Sequence, residues 1–282
     1  MAAAFDPSEF DIDAYFTRIG YPGDRAPTLE TLQAIHIHHT ESIPFENLNP
    51  FLGLPVNLDL ESLQQKLVRS GRGGYCYEHN LLLSHVLKAI GFKVTGLAAR
   101  VVLNLPEGVV LPRTHMLLRI DIDGQPHLAD VGFGGLTLTG PLRLEEDIEQ
   151  ATPHEPFRLV KMGEEFEMQA RLGETWRRLY QFSLQEQLLA DYECANWYVA
   201  THPTSRFVNG LIAARPARDR RYALFNKEFS VHHLGGRTEK RTLASPEEIR
   251  EALEGPLNVK LPESAELDTA LRRVLSAHGD RH

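Results

Sequence analysis

Cysteine is scarce: the 282-residue sequence holds Cys76 and Cys194 and no other. Two thiols are too few for a disulfide scaffold and fit a reducing compartment, which leaves at least one free for chemistry. No apolar run reaches the roughly 18 residues that a membrane span needs. The opening MAAAFDPSEF carries early acids where a secretory leader would carry a basic start and an apolar stretch. A cytoplasmic protein without a membrane partner is therefore expected. Lysine and arginine form no long block and the net charge is -8, so nucleic acid is a poor partner and small molecules are favoured. There is no Walker loop and no G-x-G-x-x-G after a strand, so a nucleotide-bearing ligand has to be held in another way.

Metal is not expected either. His36, His38 and His39, the pair Cys76 and His79, and the pair His232 and His233 all lack the four-ligand spacing of a structural zinc site. The one basic cluster, Arg215, Arg218, Arg220 and Arg221, reads as a solvated loop, with contact to an anionic cofactor as the alternative. Cys194 reads as a buried structural thiol.

Hydrophobic residues at 42% and charged residues at 24% are ordinary globular usage, and the length suffices for a sizeable core. The first hundred residues have helical periodicity. Asp11 caps a helix ended by Gly20, Thr28 opens one stopped by Pro44, and a third runs from Leu60 toward Gly71. After the glycine-rich GRGG, Leu82, Leu83, Val86, Leu87 and Ile90 recur at helical spacing, which puts Cys76 at or near a helix N-terminus. Beyond Gly91, β-branched and apolar stretches predict antiparallel strands through about residue 190. A helix over 184–200, strands over 221–232 and 241–243, and helices after Ser245 and Ser264 complete the chain. This order predicts an α+β fold in three lobes: a helical bundle over 1–91, an antiparallel sheet or small barrel over 92–195 and a mixed helix-and-strand segment over 196–282.

A thiol attacks as thiolate, a state favoured by a helix N-terminus and by a neighbouring imidazolium. Composition alone favours Cys76 as a small buried core residue, and the glycine-rich entry shifts that reading toward chemistry. The dipeptide Asp123-Gly124 supplies a geometric test. If it forms a two-residue turn, paired positions sum to 247, so that His115 faces Gly132 and Leu117 faces Asp130. His115 and Asp130 then share a face as diagonal neighbours. A carboxylate on one ring nitrogen fixes the tautomer and leaves the other nitrogen for sulfur. A turn longer by one residue reverses the relation.

RGGYCYEHN at 72–80, IPFENL at 43–48, RTHMLLRI with LADVGFGG, and NWYVATHPTSRF at 196–207 together resemble the arylamine N-acetyltransferase family, with compatible spacing from end to end. The resemblance implies a helical lobe, a barrel and a lid around a papain-like core of Cys76, His115 and Asp130. It implies ping-pong transfer of an acetyl group from acetyl-CoA, the co-substrate, to an arylamine, arylhydrazine or hydrazide. It also implies Phe45 and Phe133 as walls of the acceptor pocket, Arg72 as a brace for the nucleophile loop, and CoA contacts at Thr114, Gly132, Gly134, Tyr198, Thr204 and Ser205. The competing reading is a thiol hydrolase, since the same trio can pass an acyl group to water. Oligomeric state is not readable.

Overall fold

The structure is a computed structural model that describes residues 10–106 and 108–276. The acidic opening, residues 1–9, lies outside the described residues. Helix α1 (Ile12–Ile19) starts where the Asp11 carboxylate accepts from Ala14 N at 2.9 Å, and it ends on left-handed Gly20. Helix α2 (Leu29–Ser42) starts on Thr28 in the same way. The short strand β1 (Phe45–Glu46) and helix α3 (Leu48–Phe51) follow. The helix expected after Asp59 is interrupted: α4 (Leu60–Leu63) passes into a π-helical stretch at Gln64–Arg69, a widening that periodicity does not foretell. Helix α5 (Cys76–Ala89) begins on the cysteine itself. Leu82, Leu83, Val86 and Leu87 are fully buried there, and each contributes about 1.5–3 kcal/mol.

The middle of the chain forms β2 (Lys93–Val101), β3 (His115–Ile122), β4 (Gln125–Ala129), β5 (Leu142–Arg143), β6 (Phe157–Met162), β7 (Glu165–Leu172) and β8 (Thr175–Phe182). Among the described residues these make one antiparallel sheet in the order β5-β4-β3-β2-β8-β7-β6. Bridges from Glu146 to Leu159 and from Gln150 to Phe157 bring its two edges together, so the barrel is nearly closed. The β3–β4 register runs from Ile122 opposite Gln125 to Leu118 opposite Ala129, with Asp123 and Gly124 both at positive φ. Paired numbers sum to 247, as the two-residue turn requires. Along β3, Met116, Leu118 and Ile120 pack toward α5 while Leu117 enters the barrel core. His115 and Asp130 follow Leu117 by parity.

Helices α6 (Leu189–Thr201) and α7 (Arg206–Asn209) lead to β9 (Ile212–Ala217), β10 (Arg220–Phe225), β11 (Glu228–His233) and β12 (Thr238–Thr242), followed by α8 (Pro246–Glu254) and α9 (Leu267–Ser276). The sheet order β1-β9-β10-β11-β12 makes β1 of the first lobe its edge, with Phe45 opposite Ala214. The expected division at 91/92 falls in the turn between α5 and β2, and that at 195/196 falls inside α6.

Two expectations need correction. Cys194 is exposed, because α6 buries Tyr192, Asn196 and Val199, and two residues from Tyr192 is about 200° around the helix. The basic cluster is a β9–β10 hairpin rather than a loop. Arg221 is buried and paired with Glu155 at 2.6 Å, while Arg215 donates to the carbonyls of Pro256 and Glu41.

Candidate functional site

The loop before Cys76 is assembled from residues that leave it little freedom. A Cβ at Gly73 would stand 2.1 Å from the Pro44 carbonyl oxygen, so only glycine fits. Arg72 donates to Glu46 at 2.7 Å and to Asn49 at 3.0 Å, and Glu46 in turn accepts from Leu48 N at 2.6 Å. Glu78, in the first turn of α5, accepts from Tyr75 N at 3.1 Å and pairs with Lys66 at 2.6 Å. Burial pushes the Glu78 carboxyl up while Lys66 opposes that shift. These contacts fix the chain that delivers the thiol to the positive end of the helix.

His115 and Asp130 meet as the hairpin register predicts, with Nε2 of the ring 2.7 Å from Oδ2. Both are buried. Asp130 Oδ1 also accepts from Gly132 N at 2.9 Å and Asn80 Nδ2 at 3.1 Å. Burial works against the Asp130 carboxylate, yet the His115 ring and these donors hold it below its usual range. Burial likewise works against the His115 imidazolium, but Asp130 and the contact with Cys76 raise the ring to about 10. Cys76 lies near enough to the ring to help raise it. Nε2 is committed to Asp130, so Nδ1 is the nitrogen left for sulfur. The thiol also points at the Thr114 carbonyl, 3.7 Å away.

Three residues around this trio escape sequence reasoning. Asn80, one turn beyond Cys76, donates to Met116 O at 2.8 Å and accepts from Val131 N at 3.2 Å, besides holding Asp130. It thereby joins the helix, the histidine strand and the aspartate loop. Tyr180 lies 4.9 Å from the His115 ring, and burial together with the negative Asp130 holds its hydroxyl well above the usual tyrosine range. His36 accepts from Asp130 N at 3.3 Å. Asn80 stands inside the RGGYCYEHN motif at i+4 from the cysteine, a spacing that places it on the same helix face. Tyr180 and His36 carry no comparable local signal.

Phe45 and Phe133 both border the thiol region. The Phe133 ring is 5.1 Å from His115, and Phe45 lies against Gly134. Phe207, at 6.2 Å from Phe45, joins them. The expected CoA residues are dispersed. Thr114, Gly132 and Gly134 lie beside the trio, whereas Tyr198 is partly exposed on α6, stacked on His202, and Thr204 is exposed with its hydroxyl on His202. The Ser205 hydroxyl is engaged by Val199 O and Phe207 N. Among the described residues no group of three or more His, Cys, Asp or Glu side chains is placed to hold a metal. No helix among them is long and apolar enough to cross a membrane.

A thiol at a helix start, near an imidazole that is hydrogen-bonded to a buried carboxylate, set between a helical lobe and a β-barrel, is the equipment of acyl transfer. The sequence profile described as N-acetyltransferase matches residues 28–266. A curated arylamine N-acetyltransferase of Mycobacterium tuberculosis is 43% identical over 94% of this chain and 96% of its own. The solved M. tuberculosis structure superposes with a TM-score of 0.89 over 93% of this chain and 99% of that one, at 43% identity. The Mycobacterium marinum arylamine N-acetyltransferase in complex with CoA gives 0.90 over 94% and 99%, at 40% identity. The chain belongs to the arylamine N-acetyltransferase family.

Proposed function

We propose that the protein carries an acetyl group from acetyl-CoA to the nitrogen of an arylamine, arylhydrazine or hydrazide by way of an acetyl-cysteine on Cys76. The observation that carries this reading is the buried His115–Asp130 pair, 2.7 Å apart, beside a cysteine that starts a helix. The sulfur attacks the thioester carbonyl, and collapse of the tetrahedral adduct expels the CoA thiolate, which takes the proton resting on His115. Exchange of one thioester for another is nearly balanced. A neutral arylamine then attacks the acetyl-cysteine, gives its proton to His115 and releases the cysteine sulfur. Asp130 keeps the ring in the tautomer that serves both steps. Backbone N–H groups at the start of α5 are the natural stabilisers of the oxyanion.

In this reading Phe45 and Phe133, joined by Phe207, receive the planar ring of the acceptor. The CoA-bound relative supports a CoA site, which we place along Thr114, Gly132, Gly134, Tyr198, Thr204 and Ser205. Ser205 acts there by shaping its loop, because its hydroxyl is already occupied. The three-lobe division, the papain-like arrangement and a cytoplasmic location belong to the same proposal. Mass spectrometry after incubation with acetyl-CoA tests it: one acetyl adduct on Cys76, lost in Cys76→Ala and discharged by an aniline, is expected. Labelling of Cys194 instead, or discharge to water at the same rate with and without the aniline, would sink it. The second outcome is the signature of a thiol hydrolase.

A further inference from the structure

Behind the nucleophile runs a chain of buried polar groups that the transfer chemistry leaves unused. Tyr15 of α1 has its hydroxyl 2.8 Å from His39 Nδ1, His39 Nε2 of α2 is 2.9 Å from His79 Nδ1, and His79 Nε2 of α5 is 3.2 Å from the Pro44 carbonyl. All three side chains are fully buried. The far end decides every proton. A carbonyl only accepts, so His79 Nε2 carries hydrogen and its Nδ1 is the acceptor. His39 therefore donates from Nε2 and accepts at Nδ1, and Tyr15 donates. Each ring is neutral and fixed in one tautomer. Burial lowers both histidines in agreement with that, His79 to about 4.

The chain ends one residue before Phe45, and the His79 ring lies flat against the Phe45 ring, 9° from parallel at 6.3 Å between centroids. Backbone pairing of Phe45 with Ala214 and Gly74 fixes its main chain but not the tilt of its ring. His79, Phe207 and Gly134 are its neighbours. A hydrocarbon at residue 79 would pack with no polar groups to desolvate. The hydrogen bonds add something a hydrocarbon lacks, a fixed orientation of the supporting ring relative to the helix that carries Cys76. We infer that His79, locked by Tyr15 and His39, is a positioning residue that orients Phe45 for the aryl ring of the acceptor. This inference rests on Phe45 being a wall of that pocket.

The experiment separates the two half-reactions. Acetyl-enzyme formation from acetyl-CoA is followed first, then discharge of the isolated acetyl-enzyme by aniline and by hydrazine, which has no ring to place. In His79→Phe, which keeps a flat ring and loses both hydrogen bonds, the aniline concentration for half-maximal discharge rises about tenfold, equivalent to about 1.4 kcal/mol of lost arene binding. Acetylation and discharge by hydrazine stay within about twofold of wild type. His79→Gln, whose amide can still donate to Pro44, restores most of the aniline step. Should His79→Phe not fold, Tyr15→Phe, remote from the pocket, shows the same selectivity at about threefold. Equal losses with aniline, hydrazine and acetyl-CoA, or no loss with aniline, overturn the role of His79. A wild-type protein that takes no acetyl group on Cys76 overturns the acyl-transfer reading itself, and this inference with it.

Discussion

Gly132 sits so close to the nucleophile that a Cβ on it would lie 2.7 Å from the Cys76 Cα and 2.9 Å from Asn80 Nδ2. The aspartate loop and the helix of the thiol thus meet backbone to backbone, and the Gly132 N–H at that contact binds Asp130. Gly132→Ala forces the two apart at a cost of about 1–3 kcal/mol. A lower Tm and a larger fall in the rate of Cys76 acetylation are expected. Wild-type values for both would refute the contact's importance.

Asn80 holds three separate pieces of the site, and its removal takes a hydrogen bond from Met116 O, Val131 N and Asp130 in a buried setting. Asn80→Ala is expected to cost about 2–3 kcal/mol and to slow acetylation at least tenfold. Asn80→Asp is expected to be worse, since a second carboxylate would face Asp130. Thermal melts and burst kinetics measure both. An alanine variant as stable and fast as wild type counts against the node.

The His115 and Asp130 pair makes stability depend on pH. His115 is raised to about 10 in the fold, from 6.5 when unfolded. Its contribution is complete below pH 6.5 and is lost as pH climbs through 10. Asp130 is lowered, so its contribution is present above pH 3.8 and is lost as pH falls through its folded value. The Tm gap between wild type and His115→Gln should therefore narrow from pH 6.5 to 10. A constant gap across that range would contradict the pairing.

His36 and His79 work in the opposite sense, because burial lowers each to about 4. Between pH 6.5 and 4 the unfolded chain takes up protons that the fold refuses, so stability is full above pH 6.5 and declines as pH falls. Each ring contributes up to about 3 kcal/mol. In a series of melts from pH 7.5 to 4.5, His79→Gln should lose Tm less steeply than wild type. Parallel slopes would show that His79 does not titrate in this way.

The sequence exposes those parts of the site that rest on local rules. A two-residue turn at Asp123-Gly124 fixes register outright, so the meeting of His115 and Asp130 follows by counting. The glycine loop and the apolar repeat that follows place Cys76 at a helix start. Where the outcome depends on a distant partner, local rules fail. Arg221 reads as a surface cation because Glu155, which buries it, is 66 positions away. Cys194 reads as core because free cysteines are usually buried, yet it falls on the outward face of α6, whose Leu189 and Trp197 are also exposed. Phe207, Tyr180 and His36 reach the site through tertiary packing that no spacing announces.

The edge position of β1 in the C-terminal sheet has a consequence for how such an enzyme diversifies. Phe45 is carried by the same ladder as Ala214, while the sulfur, ring and carboxylate are carried by α5 and the barrel. If Phe45 is the acceptor wall proposed above, changes far out on the C-terminal sheet retune which amines are accepted and leave the chemistry of acyl exchange intact.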